Sequence, residues 1–133
     1  MRRQSRELAL QILFQTEFAP EISLADLSNV FNKSFDQQIM TYTHELVKTV
    51  QKNKEMIDAK IQETSRHWKM DRMASVDRNI LRIAVAEVLF MDTKVEPKIV
   101  MNEAIEIAKT YGTQDSGSFV NGLLDQIIKN ETN

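Results

Sequence analysis

The segment from Val76 to Met91 constrains this chain most. Ile80, Leu81, Ile83, Ala84, Val85, Ala86, Val88, Leu89 and Phe90 follow one another almost without interruption. At about 100° per residue they surround a helix nearly completely. A helix that is apolar on all sides has no face to give to water, so it must be the centre of the fold, with other helices around it. Two positive charges break the pattern: Arg78 and Arg82, at i and i+4, share one side. Stranding an arginine in a core is strongly destabilising. Each therefore needs an internal carboxylate, such as Glu87 or Asp77, or a route to a surface groove.

The stretch from Pro97 to Asp125 supplies helices to wrap that centre. Pro97 suits a first helical position, where its missing N–H is not needed, and Gly112 suits a left-handed residue just past a helix end. Between them Val100, Met101, Ala104, Ile105, Ile107, Ala108 and Tyr111 fall on one apolar arc roughly 160° wide. Asp115 is placed as the N-cap of a following helix. Phe119, Val120, Leu123, Leu124, Ile127 and Ile128 form that helix's stripe. Gly117 and Gly122 lie inside it at about 1 kcal/mol each relative to Ala, so something must approach closely there. A neighbouring helix is the simpler occupant and a ligand or partner backbone the sharper one; for Gly122 the expectation is packing.

The N-terminal half reads as further helices. Residues 3–18 bury Leu8, Ala9, Ile12, Leu13 and Thr16, with Arg3, Glu7, Leu10, Phe14 and Phe18 along a second line. Pro20 ends this helix. Ser23 and Asp26 match a capping box, stapled by Ile22 and Leu27, before a short helix of Leu24, Leu27, Val30 and Phe31. Asp36 opens another helix with Ile39, Leu46, Val47 and Val50 inward. Asn53 breaks it ahead of a segment around Met56, Ile57 and Ile61. The architecture expected is all-α, with about seven helices in one domain spanning 1–133.

Two basic clusters carry what chemistry there is. Arg2, Arg3 and Arg6 stand at a helix N-terminus, the unfavourable end of the dipole for cations. They are either a solvated helix start, with Phe14 packed on a neighbour, or a phosphate-binding set with Phe14 stacking a base. The dipole mismatch favours an external anion. Between Arg66 and Arg82, five basic side chains face only Asp71 and Asp77, with His67 and the single tryptophan, Trp68, among them. This is a candidate anion or nucleic-acid surface; as an isolated residue, Trp68 is expected to plug the core.

Composition removes most other functions. There is no cysteine, and the two histidines, His44 and His67, are far apart, so neither thiol chemistry nor a zinc set is available. The three glycines form neither a P-loop nor a dinucleotide fingerprint. No catalytic constellation is visible, and neither a cofactor nor a metal is expected. No apolar run approaches the ~20 residues of a membrane span, so a cytoplasmic location is expected. A net charge of −2 argues against broad nucleic-acid binding but leaves local patches open.

Several blocks, in order, resemble the bacterial NusB family. They are Arg2-Arg3-Gln4-Ser5-Arg6-Glu7 with Leu8 to Phe14; Trp68, Arg72, Val76-Asp77-Arg78, Leu81-Arg82-Ile83-Ala84 and Glu87; Asn102-Glu103-Ala104-Ile105-Glu106-Ile107-Ala108-Lys109; and Ser118-Phe119-Val120-Asn121-Gly122-Leu123-Leu124-Asp125. Together they cover nearly the whole chain. The N-terminal domain of the ribosomal-RNA cytosine methyltransferases is similar too, but the catalytic domain of those enzymes has no counterpart here.

The resemblance implies an all-α fold of two roughly perpendicular three-helix bundles. It also implies a non-enzymatic transcription antitermination factor. Such a factor binds the boxA element of nascent ribosomal-RNA transcripts together with NusE, a small-subunit ribosomal protein. It does so in the RNA polymerase elongation complex with other Nus factors. By position, Arg2, Arg3 and Arg6 match the family's arginine-rich RNA-binding start. Phe14 falls where an aromatic, usually Tyr, contacts RNA. Asp77, Arg82, Asp115 and Phe119 match positions implicated in the RNA surface. Ser23 to Lys60 fits only in pattern and carries over no site residue. A protein–protein adaptor, or a homodimer that buries the RNA face, is the alternative state.

Overall fold

The computed structural model describes residues 2–21, 26, 36–92 and 95–132. Except for Asp26, the expected capping box and short helix between Ile22 and Phe31 lie outside the described residues. The described residues form six α-helices and one 3-10 turn, with no strand among them. The helices are α1 (Arg2–Phe18), α2 (Gln37–Lys52), α3 (Lys54–Thr64), α4 (Ser75–Leu89), α5 (Pro97–Tyr111) and α6 (Ser116–Thr132), and the 3-10 turn is Met70–Arg72.

The all-round apolar segment is central, as its pattern requires. In α4, Asp77 and every residue from Asn79 to Val88 are buried. This helix packs against each of the other five. The α1–α2 pair lies against it from one group of helices and the α5–α6 pair from another, with α3 joining α4 to α6. Buried apolar side chains from all six helices form one core cluster, including Ile12, Leu46, Ile61, Leu81, Val100 and Leu124. Each such side chain contributes about 1.5–3 kcal/mol by leaving water.

Local chemistry sets the helix ends. Asp36 caps α2, its carboxylate accepting the Ile39 N–H at 3.0 Å. Asn53 breaks the α2–α3 run: its N–H and side-chain amide both donate to the Thr49 carbonyl, at 3.1 and 2.9 Å, before α3 begins. Pro97 occupies the start of α5.

Two glycines behave differently from expectation. Gly112 ends α5 at φ −98° and ψ −159°, which is extended and not left-handed. It is needed for closeness instead: a Cβ there would lie 2.3 Å from Ser116 Oγ and 2.8 Å from the Ala108 carbonyl oxygen. That Ser116 hydroxyl accepts the Thr113 N–H at 2.9 Å and closes the α5–α6 turn. Gly117 fits the helix-packing reading, since a Cβ would meet Lys109 Cγ at 3.3 Å and Ile105 Cγ2 at 3.7 Å across the α5–α6 interface. Gly122 does not. It is exposed, a Cβ there would meet nothing within 4 Å, and the packing expected for it is absent.

Trp68 also departs from expectation. It is 56% exposed, outside the core it was expected to plug. Its loop is held from beneath: the Trp68 carbonyl accepts from Ser65 Oγ at 2.8 Å and Gln62 Nε2 at 3.1 Å, while Gln62 Oε1 accepts the Met70 N–H at 2.8 Å. Backbone bracing by polar side chains keeps the loop in place with the indole outside.

Candidate nucleic-acid interface

The N-terminal arginines are placed by the first turn and a half of α1 and have three different environments. Arg2 is exposed, its guanidinium carbon 4.4 Å from the centroid of the Tyr42 ring on α2. Arg3 is exposed and forks onto Glu103 of α5, with Nε donating to Oε1 at 3.2 Å and Nη2 donating to Oε2. Arg6 is only 4% exposed. Its Nε and Nη2 donate to Glu87 Oε1 and Oε2 at 2.6 and 2.7 Å, and its Nη1 donates to Glu103 Oε1 at 3.1 Å. Burial disfavours the Arg6 charge, yet the hydrogen bonds and charge of Glu87 outweigh it and hold its pKa above the ordinary value. The mismatch with the helix dipole thus has an internal answer: carboxylates of α4 and α5 neutralise Arg3 and Arg6.

Glu87 is fully buried and takes a third donor, the Tyr42 hydroxyl at 2.7 Å. Burial, then the neighbouring Glu87 carboxylate, pushes the Tyr42 phenol well above its usual range.

Arg82 is also interior, 7% exposed. It binds Asp58 of α3 through both forks, Nε to Oδ1 at 2.8 Å and Nη2 to Oδ2 at 3.0 Å. Its Nη1 reaches Asn79 Oδ1 at 3.1 Å and Glu17 Oε2 at 3.3 Å. Arg78 joins the same cluster by donating to Glu17 and to the carbonyls of Met70 and Met73 at 2.8 and 2.9 Å. Burial raises the Glu17 pKa, but hydrogen bonds from Arg78 and Asn79 overcome this and hold the carboxyl below its usual range. The arginines of the central helix have internal partners, as its burial demands. Their carboxylates are Asp58 and Glu17, where Glu87 and Asp77 were expected.

The aromatic part of the site is open. Phe14 is 37% exposed and stacks on Phe18, which is 82% exposed, with centroids 6.4 Å apart and an 11° angle between planes. Beside them lies an open groove of about 270 Å³ lined by Leu10, Gln11, Phe14, Gln15, Val76 and Tyr111. It brings α1 against the start of α4, next to Asp77, and the end of α5, four residues before Asp115. Tyr111 was placed in a core arc by its spacing; it is instead 40% exposed and lines this groove. The separation of 97 positions from Phe14 to Tyr111 hides that meeting from the sequence.

The remaining residues divide again. Asp115 is exposed immediately before α6, its carbonyl accepting the Phe119 N–H at 3.1 Å. Phe119 is half-buried against the core. Asp77 is buried in the first turn of α4, and its Oδ1 has no hydrogen-bond partner among the described residues.

Nearly the whole of this chain, residues 3–129, matches the model of the NusB family. The chain belongs to the NusB family. It is 60% identical to the transcription antitermination protein NusB of Bdellovibrio bacteriovorus over 128 residues, covering 96% of this chain and 95% of that one. It is 44% identical to the NusB of Anaeromyxobacter dehalogenans over 129 residues, covering 95% and 89% respectively. Among solved structures, T. maritima NusB superposes with a TM-score of 0.89 at 37% identity, covering 97% of this chain and 91% of that one. A complex of antitermination factors NusB and NusE with dsRNA superposes with a TM-score of 0.83 at 31% identity, covering 96% of each chain. The all-α architecture inferred from the sequence is therefore that of the NusB structures. Among the described residues no helix is long and apolar enough to cross a membrane.

Seen as a NusB chain, the basic side chains divide across the two sequence clusters and not along them. Arg66, Lys69 and Arg72, near the exposed Trp68 in sequence, are themselves exposed. Arg6, Arg78 and Arg82 hold helices together. The apolar surroundings of Arg78 and Arg82 mark them as needing internal partners, but the sequence does not mark Arg6 in this way, nor show which carboxylate on another helix each arginine takes.

Proposed function

We propose that this chain is a transcription antitermination factor that acts by binding, without catalysis. Its ligand is boxA-type single-stranded RNA of nascent ribosomal-RNA transcripts, bound together with NusE in the RNA polymerase elongation complex, in the cytoplasm. The family match across residues 3–129 carries this reading. A solved NusB and NusE complex with dsRNA, similar over 96% of both chains, supports the choice of partners.

The exposed groups have the chemistry for the task. Sequence-specific RNA recognition works on splayed bases through stacking and edge hydrogen bonds. Phe14 and Tyr111 offer ring faces beside an open groove. Arg2 and Arg3, at the exposed start of α1, are the N-terminal arginines able to reach phosphate. Asp115 can accept from a base amino group; Asp77 is buried, and its oxygen without a partner among the described residues is not open to a ligand in this structure. Phe119 sits where it can both pack and support the turn that carries Asp115. Arg6 and Arg82 serve this surface indirectly, by fixing α1, α3, α4 and α5 relative to one another.

Fluorescence anisotropy with labelled boxA RNA and NusE tests these roles. Phe14→Ala is expected to weaken binding by about 1–3 kcal/mol, the worth of one stacked base. Unchanged affinity would remove Phe14 from the interface.

The exposed Phe14–Phe18 pair also favours a second state, a homodimer that covers this face. Sedimentation at several concentrations distinguishes it: a dimer that dissolves on adding RNA indicates a masked RNA surface, and a monomer throughout excludes the dimer.

A further inference from the structure

Glu103 faces the start of α1 from α5, with a side chain 21% exposed. Arg3 Nε and Nη2 and Arg6 Nη1 all donate to it. Glu87, fully buried, takes the rest of the Arg6 fork and the Tyr42 hydroxyl, and Arg2 lies over the Tyr42 ring. One chain of contacts thus runs Arg2, Tyr42, Glu87, Arg6, Glu103, Arg3. Its three arginines differ in what they can give to an anion from outside. Arg6, with a side chain 5% exposed and three charged hydrogen bonds, is committed. Arg2 stacks through its face and has no carboxylate in ion-pair range among the described residues. Arg3 is 46% exposed, but its fork is already filled by Glu103.

We propose that Glu103 is a built-in competitor for RNA phosphate: it holds Arg3 in the free protein, and RNA binds by exchanging this carboxylate for a phosphate. The inference rests on the RNA-binding reading above and adds the residue that sets its strength. Carboxylate and phosphate offer a guanidinium the same pair of oxygens, so one replaces the other on an exposed fork with a side-chain movement alone. Arg6 makes the exchange tolerable. Its Nη1, 3.1 Å from Glu103 Oε1, stays behind to neutralise the carboxylate once Arg3 leaves. The Arg3 hydrogen bond holds the Glu103 carboxyl below its usual range, so the competitor is anionic throughout neutral pH. RNA binding by this chain is therefore weaker than its count of N-terminal arginines implies.

Glu103→Gln tests this with a short boxA-type single-stranded RNA in the presence of NusE. Gln keeps an acceptor for Arg6, which also retains Glu87. Affinity should rise by up to about fivefold, the worth of a surface ion pair that no longer has to be broken. The slope of log K against log salt should stay close to that of the wild type, because the same Arg3–phosphate contact forms in both. In an Arg3→Ala background the same change should bring no gain, and Glu106→Gln, which removes a charge one turn away, should bring none either. An E103Q protein that binds no tighter, or a gain that persists without Arg3 or is matched by E106Q, overturns the proposal.

A wild-type measurement covers the case in which E103Q does not fold. In arginine Nε–H spectra, RNA should move the Arg3 resonance and leave that of Arg6 in place; an unmoved Arg3 overturns the exchange. Failure of the wild-type protein to bind boxA RNA with NusE would instead refute the RNA-binding reading itself.

Discussion

Removing the charge of Glu87 tests whether the buried arginine of α1 is structural. Glu87 is fully buried and accepts three hydrogen bonds, two from Arg6 and one from Tyr42. In Glu87→Gln the side-chain amide presents N–H groups where Arg6 and Tyr42 also present donors. The Arg6 charge, in a side chain 5% exposed, keeps one neutral acceptor in the Gln carbonyl oxygen and a single ion pair, to Glu103 at 3.1 Å. Breaking a buried pair on one side costs about 3–5 kcal/mol. Because Glu103 remains, the lower end applies, about 3 kcal/mol. With an unfolding entropy of about 2.1 cal/mol/K per residue, that lowers the melting temperature by about 10 °C. Calorimetry or circular dichroism at neutral pH reads the shift. The double variant Arg6→Met with Glu87→Met, which removes both charges, should recover most of the loss, since well-packed apolar replacements of buried pairs are often neutral. A Glu87→Gln protein melting within about 2 °C of wild type would refute the reasoning, because loss of a buried pair on that scale of entropy cannot be so small.

Four further outcomes follow from other contacts in the fold. Asp36→Ala removes the side-chain acceptor at the start of α2 and should cost about 1 kcal/mol in denaturant unfolding. Gly112→Ala should destabilise by about 1–3 kcal/mol, because its Cβ meets backbone and a short side chain below 3 Å. Gly122→Ala, which meets nothing, should stabilise by up to about 1 kcal/mol. Glu17, whose pKa is lowered on folding, contributes stability that is complete above its unfolded value of 4.5 and is lost as pH falls through the folded value. Glu17→Gln should therefore flatten the fall in stability measured below about pH 4.5.

The fold was legible because its signals are local. The nearly continuous apolar run from Ile80 to Phe90 could only be a central helix, and it packs on all five others. Asp36, Asn53 and Pro97 act within one turn of themselves, so their roles at helix ends could be read directly. The site was harder. The sequence marked Arg6 and Arg82 as basic but could not show that Glu87, Asp58 and Glu17, each on another helix, had claimed them. Burial demanded a partner for Arg82, and this much was readable; the choice of Asp58 over Glu87 is set by how α3 lies on α4. Trp68 misled because a single large aromatic is more often buried, whereas here Ser65 and Gln62 hold its backbone and leave the ring in solvent. Gly112 misled in a related way: its smallness serves a close turn and not a left-handed one.

The most direct test of the central claim is an equilibrium titration of boxA RNA and a scrambled RNA of the same composition, each with and without NusE. The account predicts weak binding by the chain alone and tighter binding with NusE, with boxA preferred over the scrambled sequence. Equal affinity for the two RNAs in the presence of NusE would contradict it.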